Sequence, residues 1–565
     1  MTSKPASHFS AKPPPRTSAR GGGSAGLLAA ILLAQALIGG HYISRTAIAE
    51  GDSRVFVLWD DAMISMRYAR NLAKGDGLVW NPGEPAVQGF TNLGVTLAMA
   101  SLHAAGAPRE SAALGIQLLA LLALLGTAAL SARLVTDLTA NPWAGAGCAL
   151  AVGLCSPFQI YGLQGSDTPF VALAVIAGVA QLARGWLRHG RWGLGGFLPL
   201  LLAVAIRPDA SLFVGLATGL ILLVPDGRGR AVAAAPIAGL VAVWTALIGF
   251  SLSYYGDPLP NTYYLKATGT PRLRMFESGI DQLGFVAPEL LPVLVGVVLA
   301  LALRRSPALA PPESGKPAGR SATPVLALLA ASFTAALAYH VWVGGDWIRE
   351  YGSRHWIQLL PAAFVLAAVG ADRVAERLDR LPGIPPAGTA AAALILAALP
   401  GACANPAAPA REWYQLDNPT LFWSENQMNF MRSRFLERAT RPDTSIAVHW
   451  AGVGPYFADR PSLDILGRAD RHIAHREVDR FVPGHSKWDW DYVLDERKPD
   501  LIDFESRGLR HHPSFRRDYL VLQVGPSAVL FVRRDAVDKL LDPSLRVLPL
   551  EAVFPTDAPD ATDAH

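Results

Sequence analysis

Charged residues are scarce in this chain. Only 17% of its 565 residues are Asp, Glu, Lys or Arg, whereas 51% are hydrophobic, and the formal net charge is +4. Soluble domains carry roughly 25% charged residues, so this composition excludes an ordinary soluble protein and indicates a chain that crosses a membrane several times. The basic residues cluster between apolar runs, which is typical of membrane topology, and we expect no nucleic-acid partner.

Cysteine is equally rare. The chain has three cysteines, Cys148, Cys155 and Cys403, and two of them lie in or beside an apolar run. Their spacing matches no known disulfide framework or zinc site. We therefore expect neither feature.

The alternation of apolar runs with basic loops predicts the topology. Residues 1–25 are polar and basic, which predicts a disordered cytoplasmic tail, and the run from 26 to about 43 then crosses the membrane without being cleaved. Basic residues such as Arg188 and Arg373 mark later cytoplasmic loops. Later spans are predicted at 170–186, 193–206, 210–225, 231–250, 285–303, 324–343, 357–371 and 388–402.

The region between residues 90 and 161 does not fit this alternation. Its apolar runs are 92–107, 112–134 and 143–157. Both ends of the region belong outside, so an even number of runs must cross the membrane. The short third run, which opens with Asn141-Pro142, is the candidate for a broken or re-entrant segment. The expected total is eleven spans.

A polar stretch from Trp59 to Gly75 follows the first apolar run. Its apolar residues recur at helical spacing, which predicts an amphipathic helix on the membrane surface that ends at Gly75. Asp60 is expected to cap the first turn, and Asp61 lies at the positive end of the helix dipole. Two adjacent carboxylates at a water–lipid boundary suit a catalytic base or a cation site. A helix cap beside a surface charge is the alternative.

Further polar residues gather at the outer ends of the predicted spans. Ionisable groups near membrane depth are costly and tend to mark function. Acids and bases together suggest chemistry on a lipid-linked anion, because carboxylates can take a proton or hold a metal and cationic side chains can hold a phosphate. The clusters are Asp60-Asp61, Gln164-Gly165-Ser166-Asp167, Arg207-Pro208-Asp209, Gly256-Asp257, Lys266, Gly344-Gly345-Asp346 and Arg354-His355.

Four motifs, in order, resemble one family. They are Asp60-Asp61-Ala62-Met63-Ile64-Ser65 with its continuation to Asn92, Tyr254 to Tyr264 with Lys266, Trp342-Val343-Gly344-Gly345-Asp346-Trp347, and Leu463-Asp464-Ile465-Leu466-Gly467 with Pro483-Gly484-His485 and Lys498-Pro499-Asp500-Leu501-Ile502. Over residues 26–535 the chain resembles GT-C glycosyltransferases, above all the actinobacterial terminal β-(1→2)-arabinofuranosyltransferase and its proteobacterial relatives. It departs from the family at Asp167, where relatives often carry Glu, and between Arg349 and His355. These departures concern the sugar more than the reaction.

The chain beyond residue 402 has a different composition. Strand patterns at 445–448 and 500–504, and a hairpin formed by 519–524 and 528–532, predict a small mixed α/β domain outside the membrane. Its expected work is to hold an extended glycan acceptor. The tail after Phe554 is expected to be disordered.

The resemblance implies a polytopic α-helical membrane protein of the GT-C type, with an extracytoplasmic C-terminal mixed α/β domain, in the bacterial cytoplasmic (inner) membrane. It implies transfer of arabinofuranose, or another pentose or hexose, from a polyprenyl-phosphate donor to an envelope glycan or lipid acceptor. The expected divisions are a tail at 1–25, a membrane domain at 26–402 with its catalytic outer loop at 49–91, an α/β domain at 403–553 and a tail at 554–565.

Roles for the polar residues follow from this chemistry. An alcohol nucleophile needs a base, which we expect to be Asp60, while Asp61 orients the acceptor or binds a divalent cation, the one cofactor considered. The groups expected to hold the donor phosphate are Lys266, Arg207, Arg354 and His355. The groups expected to bind the sugar or acceptor are Asp167, Asp257, Asp346, Tyr263 and Trp347. Helix capping by the acids and an interfacial belt of aromatic residues are the alternatives.

Two other functional classes stay open. A transporter or flippase of lipid-linked sugars predicts inverted repeats and charges at mid-membrane, whereas this chain shows no repeat and places its charges at helix ends. A non-catalytic protein of envelope or motility assembly would keep the same fold.

Overall fold

The computed structural model describes residues 21–228, 230–303, 321–348, 351–378, 413, 423–478, 481–524 and 529–554. Of the predicted disordered tails, residues 1–20 and 555–565 lie outside these ranges, whereas residues 21–25 already belong to the first helix. Cys148 and Cys155 are buried and unpaired, and Cys403 lies outside the described residues.

Helices dominate the described residues. The α-helices are α1 (Gly21–Thr46), α2 (Asp60–Lys74), α3 (Leu93–Ala104), α4 (Ala112–Thr139), α5 (Pro142–Leu154), α6 (Ser156–Leu163), α7 (Thr168–His189), α8 (Phe197–Ile206), α9 (Ser211–Leu223), α10 (Ala234–Tyr255), α11 (Asn261–Ala267), α12 (Arg272–Ala302), α13 (Thr323–Val343), α14 (Arg354–Ile357), α15 (Leu360–Leu378), α16 (Trp423–Ala439), α17 (Val453–Ala458), α18 (Arg471–Ala474), α19 (Arg507–His511) and α20 (Pro513–Asp518). The strands are β1 (Ile48–Glu50), β2 (Ser53–Val55), β3 (Ile446–Val448), β4 (Ser462–Asp464), β5 (Leu501–Ile502), β6 (Tyr519–Gln523), β7 (Val529–Arg533) and β8 (Arg546–Leu548).

Within the described residues, five helices are long and apolar enough to cross a membrane. They lie at Gly23–Thr46, Ala112–Thr139, Thr168–His189, Arg230–Tyr255 and Thr323–Val343. Two bent helix pairs raise the number to seven if each pair is one span. Helices α3, α8 and α9 have 12, 10 and 13 residues, and at 1.5 Å per residue they are roughly 15–20 Å long, shorter than a hydrocarbon core of about 30 Å. The run at 388–402 lies outside the described residues, so the total of eleven spans stays a prediction.

The predicted break in the third short run coincides with a bend. Helices α5 and α6 meet at Cys155 at an angle of 58°. The side chain of Gln159 donates to the carbonyl of Val152 at 2.8 Å and accepts from Gln35 at 3.1 Å. The bond from Gln159 gives the Val152 carbonyl a second donor where the helix breaks, as a low-dielectric surrounding favours.

Helix α2 corrects the prediction of an amphipathic surface helix. Residues 62–71 are all buried, including the charged side chains of Arg67 and Arg70. Arg67 donates to the carbonyls of Trp80, at 2.7 Å, and Pro455. The apparent polar face therefore packs against the C-terminal part of the chain instead of facing water. The predicted end is confirmed, because Gly75 adopts the left-handed conformation at φ 90°.

Residues 423–554, the C-terminal region, contain a six-stranded mixed sheet. The strand order is β4-β3-β5-β7-β6-β8. Strand β3 pairs in parallel with β4 and β5, and the remaining pairs are antiparallel. The strands predicted near 445–448 and 500–504 and the predicted hairpin are present as β3, β5 and β6–β7. The domain limits of 403 and 553 stay predictions.

Candidate active site

Charged side chains from four separate segments meet at the start of α2. Asp61 is the centre of the group. Its Oδ2 accepts from Nη2 of Arg354 at 3.2 Å, and its Oδ1 lies 3.5 Å from Nε of Arg468. Arg354 follows the span α13, while Arg468 belongs to the C-terminal region. Arg354 is nearly 300 residues, and Arg468 more than 400 residues, from Asp61 in sequence. Only the fold brings these parts of the chain together.

The Asp61 side chain faces open space, because 45% of it is exposed. Burial by the surrounding protein raises the pKa of this carboxyl, but the charges of Arg354, Arg468 and Lys266 outweigh burial and hold the pKa well below its usual range. Asp61 is therefore a permanently ionised group. It is suited to binding a donor of hydrogen bonds, such as a hydroxyl group.

The neighbouring Asp60 has a different environment. It does not cap its own helix, where the N-cap residue is Trp59 and no side-chain cap bond forms. Its carboxylate accepts from the backbone N–H groups of Val453 at 2.8 Å and Gly452 at 3.0 Å, at the N-terminus of α17. Burial raises the pKa of Asp60 to about 7, although the Val453 bond and the Arg468 charge oppose the shift. The predicted intrahelical cap is thus replaced by a cap on another helix.

Asp346 and Arg354 form a two-point ion pair. Nε and Nη2 of Arg354 lie 3.0 and 3.1 Å from the two carboxylate oxygens of Asp346. The backbone N–H of Asp346 donates to Gln282 at 2.8 Å, which fixes the turn that carries it. Burial opposes ionisation of Asp346, but the charges of Arg354 and Lys266 hold its pKa well below its usual range. Asp346 therefore anchors Arg354 against Asp61.

Lys266 lies at the edge of this group. Within the parts of the chain that the structure describes, no carboxylate oxygen lies within 4.0 Å of its ammonium group. The side chain packs against Gly484, where an added Cβ would lie 3.1 Å from Cε of Lys266. Burial lowers the pKa of Lys266 to about 8, Arg354 adds to this effect, and Asp61 and Asp346 oppose it. Lys266 thus offers a cation that an incoming anion can pair with.

Two other predicted phosphate ligands are already engaged. Nε of Arg207 donates to Asp209 at 2.8 Å, and its Nη1 donates to Asp167 at 3.1 Å. Asp167, expected to bind sugar, thus belongs to a buried ion cluster. Nδ1 of His355 lies 2.9 Å from Oγ of Ser353, and burial lowers the pKa of His355 well below its usual range. His355 is therefore neutral at physiological pH.

Of the remaining predicted sugar ligands, Asp257 and Trp347 contact the C-terminal region. Asp257 pairs with Arg471 at 2.9 Å. Tyr263 is exposed, and Trp347, with 44% of its surface exposed, packs on the ring of His485 at 4.0 Å between centroids. Trp347 thus remains available to stack on a sugar ring.

Sequence reasoning missed Arg468. One feature of the sequence could have indicated this residue, namely its position directly after the motif that ends at Gly467. The carboxylate of Asp464 accepts from the backbone N–H groups of Leu466 at 3.0 Å and Ala469 at 2.8 Å, which closes the turn that presents Arg468. Gly467 adopts φ 80°, a conformation that favours glycine. The motif is therefore a scaffold for the residue that follows it.

The carboxylates of Asp60 and Asp61 do not suit a divalent cation. Asp60 already accepts backbone N–H groups, and Asp61 is surrounded by Lys266, Arg354 and Arg468. Cation sites in proteins gather several free oxygen ligands. Among the described residues, one group of side chains lies close enough together to share an ion, and it is not at this site. It consists of Asp491, Asp495 and His512.

Comparisons with known proteins give distant similarities. Residues 419–537 match the model of a family described as a domain of unknown function, DUF8728. No curated protein matches the chain by sequence. Among solved structures, ArnT from Cupriavidus metallidurans bound to undecaprenyl phosphate is similar at 12% identity and a TM-score of 0.48, over 80% of this chain and 87% of that one. The Archaeoglobus fulgidus oligosaccharyltransferase tethered to an acceptor peptide is similar at 11% identity and a TM-score of 0.49, over 92% of this chain and 75% of that one.

Proposed function

We propose that this chain is a membrane glycosyltransferase that moves a sugar from a polyprenyl-phosphate donor to a hydroxyl of an envelope glycan or lipid. The observation that carries the proposal is the juxtaposition of an ionised carboxylate, Asp61, with Lys266, a cation that lacks a carboxylate partner among the described residues. An acceptor hydroxyl and a leaving phosphate need groups of these two kinds, side by side. The motif resemblance to GT-C glycosyltransferases supports the same reaction.

The acceptor hydroxyl must lose its proton as it attacks the sugar. A general base works best when its pKa lies near the working pH. Asp60, with a pKa of about 7, fits this requirement, and we assign it the role of base. Asp61, which stays ionised, would then orient the acceptor. Asp61 is the alternative base, because its side chain is the more open of the two.

The departing phosphate gains negative charge as the glycosidic bond breaks. Lys266 is the group best placed to stabilise that charge, since the other cations near it already hold carboxylates. Arg354 would act beside it while keeping Asp61 and Asp346 in place. Arg207 and His355 keep supporting roles in this scheme, because their nitrogens are bound by acidic and hydroxyl neighbours.

We propose that the sugar of the donor binds beside Trp347. Trp347 presents an exposed aromatic face beside His485, and aromatic faces stack on the apolar faces of sugar rings. The resemblance names arabinofuranose, and the pentoses and hexoses remain the proposed class. We propose a bacterial cytoplasmic membrane location with the site on the outer side, which the alternation of basic loops supports.

The test uses the full-length protein in phospholipid nanodiscs, with a synthetic polyprenyl-phosphate arabinose labelled in the sugar. We expect release of polyprenyl phosphate that depends on added envelope glycan and is lost in Asp60→Asn and Asp61→Asn. In the native host, the same variants should leave the envelope glycan as in a strain lacking the protein. A transporter would move the lipid without cleaving it, and a scaffold would restore the glycan with either variant; both outcomes would refute the proposal.

A further inference from the structure

Arg468 contacts two side chains of the candidate site. Its side chain is only 5% exposed. Nε lies 3.5 Å from Asp61, and Nη2 lies 3.0 Å from Nε2 of His485. Nδ1 of His485 lies 3.0 Å from the carbonyl of Pro483, so the ring is held from both sides. Arg468 therefore links the central carboxylate to the ring beneath Trp347.

The comparison with Arg460 shows the difference. Arg460 is also buried, but its three nitrogens bond to the hydroxyl of Thr440 and to backbone carbonyls, including those of Glu437 and Ala458. Arg460 thus fastens two backbone segments together. Arg468 bonds to two side chains that line the site, and its buried Nη1 has no hydrogen-bond partner in the described structure. Arg70, Arg184 and Arg434 also have one such nitrogen, so the difference from Arg460 lies in the side chains that Arg468 contacts.

The backbone of Arg468 is fixed from the membrane side. The side-chain amide of Asn261 donates to the carbonyls of Gly467 at 2.8 Å, Arg468 at 3.1 Å and Asp470 at 3.0 Å. Asn261 belongs to α11, the helix that also carries Lys266. The hydrogen bonds that join α11 to the C-terminal region therefore also position the backbone that carries Arg468.

Several charged groups face the Asp60–Asp61 pair from the elements packed around it. They are Lys266 on α11, Asp346 after α13, Arg354 on α14, and Arg468 with the neutral ring of His485 in the C-terminal region. The charge of Arg468 lowers the pKa of both carboxyls of the pair. Removing it therefore changes Asp60 and Asp61 together.

We propose that Arg468 is a positioning residue through which the C-terminal region completes the active site. It fixes the Asp61 carboxylate and the His485 ring, and its charge favours the ionised form of the Asp60–Asp61 pair. This inference rests on the proposed function. It assigns the C-terminal region a part in the reaction, beyond holding an extended acceptor.

The test is the pH dependence of kcat/KM for Arg468→Gln, Arg468→Lys and the surface control Arg517→Gln, with the nanodisc assay above. Loss of a nearby cation makes a carboxyl harder to ionise, so Arg468→Gln should shift the acid limb toward higher pH by on the order of one unit. Arg468→Lys keeps the charge but cannot fork between Asp61 and His485, so the limb should stay while kcat falls at least about tenfold. Arg517, 68% exposed and paired with Asp518, should change neither quantity.

The outcomes separate this inference from the proposed function. No transfer by the wild-type protein refutes the proposed function itself. Wild-type transfer with an unshifted limb in folded Arg468→Gln overturns the role of Arg468 alone. If Arg468→Gln fails to fold, Arg468→Lys decides: a wild-type kcat would overturn the proposal, and a lowered kcat with an unmoved limb would support it.

Discussion

The Asp60 carboxylate accepts a 2.8 Å hydrogen bond from the backbone N–H of Val453, a residue 393 positions further along the chain. Asp60 caps the N-terminus of a helix in the C-terminal region while standing beside the proposed acceptor site. This contact gives Asp60 a structural function beside the chemical one that we propose for it. The prediction for its variants must therefore separate the two.

Asp60→Asn should abolish transfer, by about 10²- to 10⁴-fold if Asp60 is the general base. It should not lower the free energy of unfolding at neutral pH, because the amide keeps one acceptor oxygen for the backbone N–H groups and removes a charge that burial disfavours in the folded protein. Turnover and the thermal unfolding midpoint of the purified variant measure the two effects. Near wild-type turnover would move the role of base to Asp61.

Gly452→Ala tests the docking of the C-terminal region without touching a charge. A Cβ at residue 452 would lie 1.9 Å from the carbonyl oxygen of Asp60, so α2 and α17 must separate. Overpacking of this kind costs about 1–3 kcal/mol. The matched control is Gly454→Ala, two residues away, where nothing lies within 4 Å of the added Cβ. Limited proteolysis should cut Gly452→Ala faster and Gly454→Ala no faster than wild type; equal rates for both would show that this contact does not hold the region.

Sequence patterns located helix α2 and its Gly75 end, because both depend on local periodicity and on one glycine. They did not reveal that both faces of α2 are buried. Arg67 and Arg70 looked like a solvated face, whereas they donate to the carbonyls of Pro455 and Tyr456. Such contacts join residues almost 400 positions apart, and nothing in the local sequence encodes them.

The grouping of site residues was predictable only in part. The predicted topology placed four of them on the same side of the membrane, because every second end of successive spans lies on that side. These residues are Asp61, Lys266, Asp346 and Arg354. The topology could not show that Arg207 would be held by Asp167 and Asp209, since that depends on side-chain packing. Arg468 was missed because the membrane topology of the chain says nothing about how the C-terminal region docks.

Transfer should show a bell-shaped pH dependence of kcat/KM. Asp60 must be deprotonated to act as a base, so the rate rises with pH through its pKa of about 7. Lys266 must be protonated to hold a phosphate, so the rate falls as pH passes its pKa of about 8. The maximum is expected at about pH 7.5. If Asp61 were the base, no acid limb would appear near neutrality, because its pKa lies far below that range.

The topology can be checked independently of activity. The amino terminus should be cytoplasmic and residues 404–565 extracytoplasmic, with an odd number of spans, because basic loops favour the cytoplasmic side. Alkaline phosphatase fused after Ala402 should be active, and a cytoplasmic reporter fused there should not. The reverse pattern would place the candidate site on the side away from an extracytoplasmic acceptor.

Lys266 offers the most direct test of the donor phosphate. The described structure gives its ammonium no carboxylate partner within 4.0 Å, so a substitution breaks no ion pair there. If Lys266 holds the leaving phosphate, its charge matters most as the glycosidic bond breaks. Lys266→Gln should then lower kcat by about ten- to a thousandfold, in the range of a lost oxyanion contact.

Lys266→Arg supplies the control for charge. The guanidinium keeps the positive charge but changes the geometry beside Gly484, so part of the activity should survive. Both rates are measured on purified protein with a synthetic polyprenyl-phosphate sugar, and the unfolding midpoint should change little in either variant. An unchanged rate for Lys266→Gln would assign Lys266 to the membrane surface, where a lysine extends its ammonium toward water. Arg354 would then be the first remaining candidate, because its side chain is 25% exposed whereas that of Arg207 is 10% exposed, and His355 is neutral.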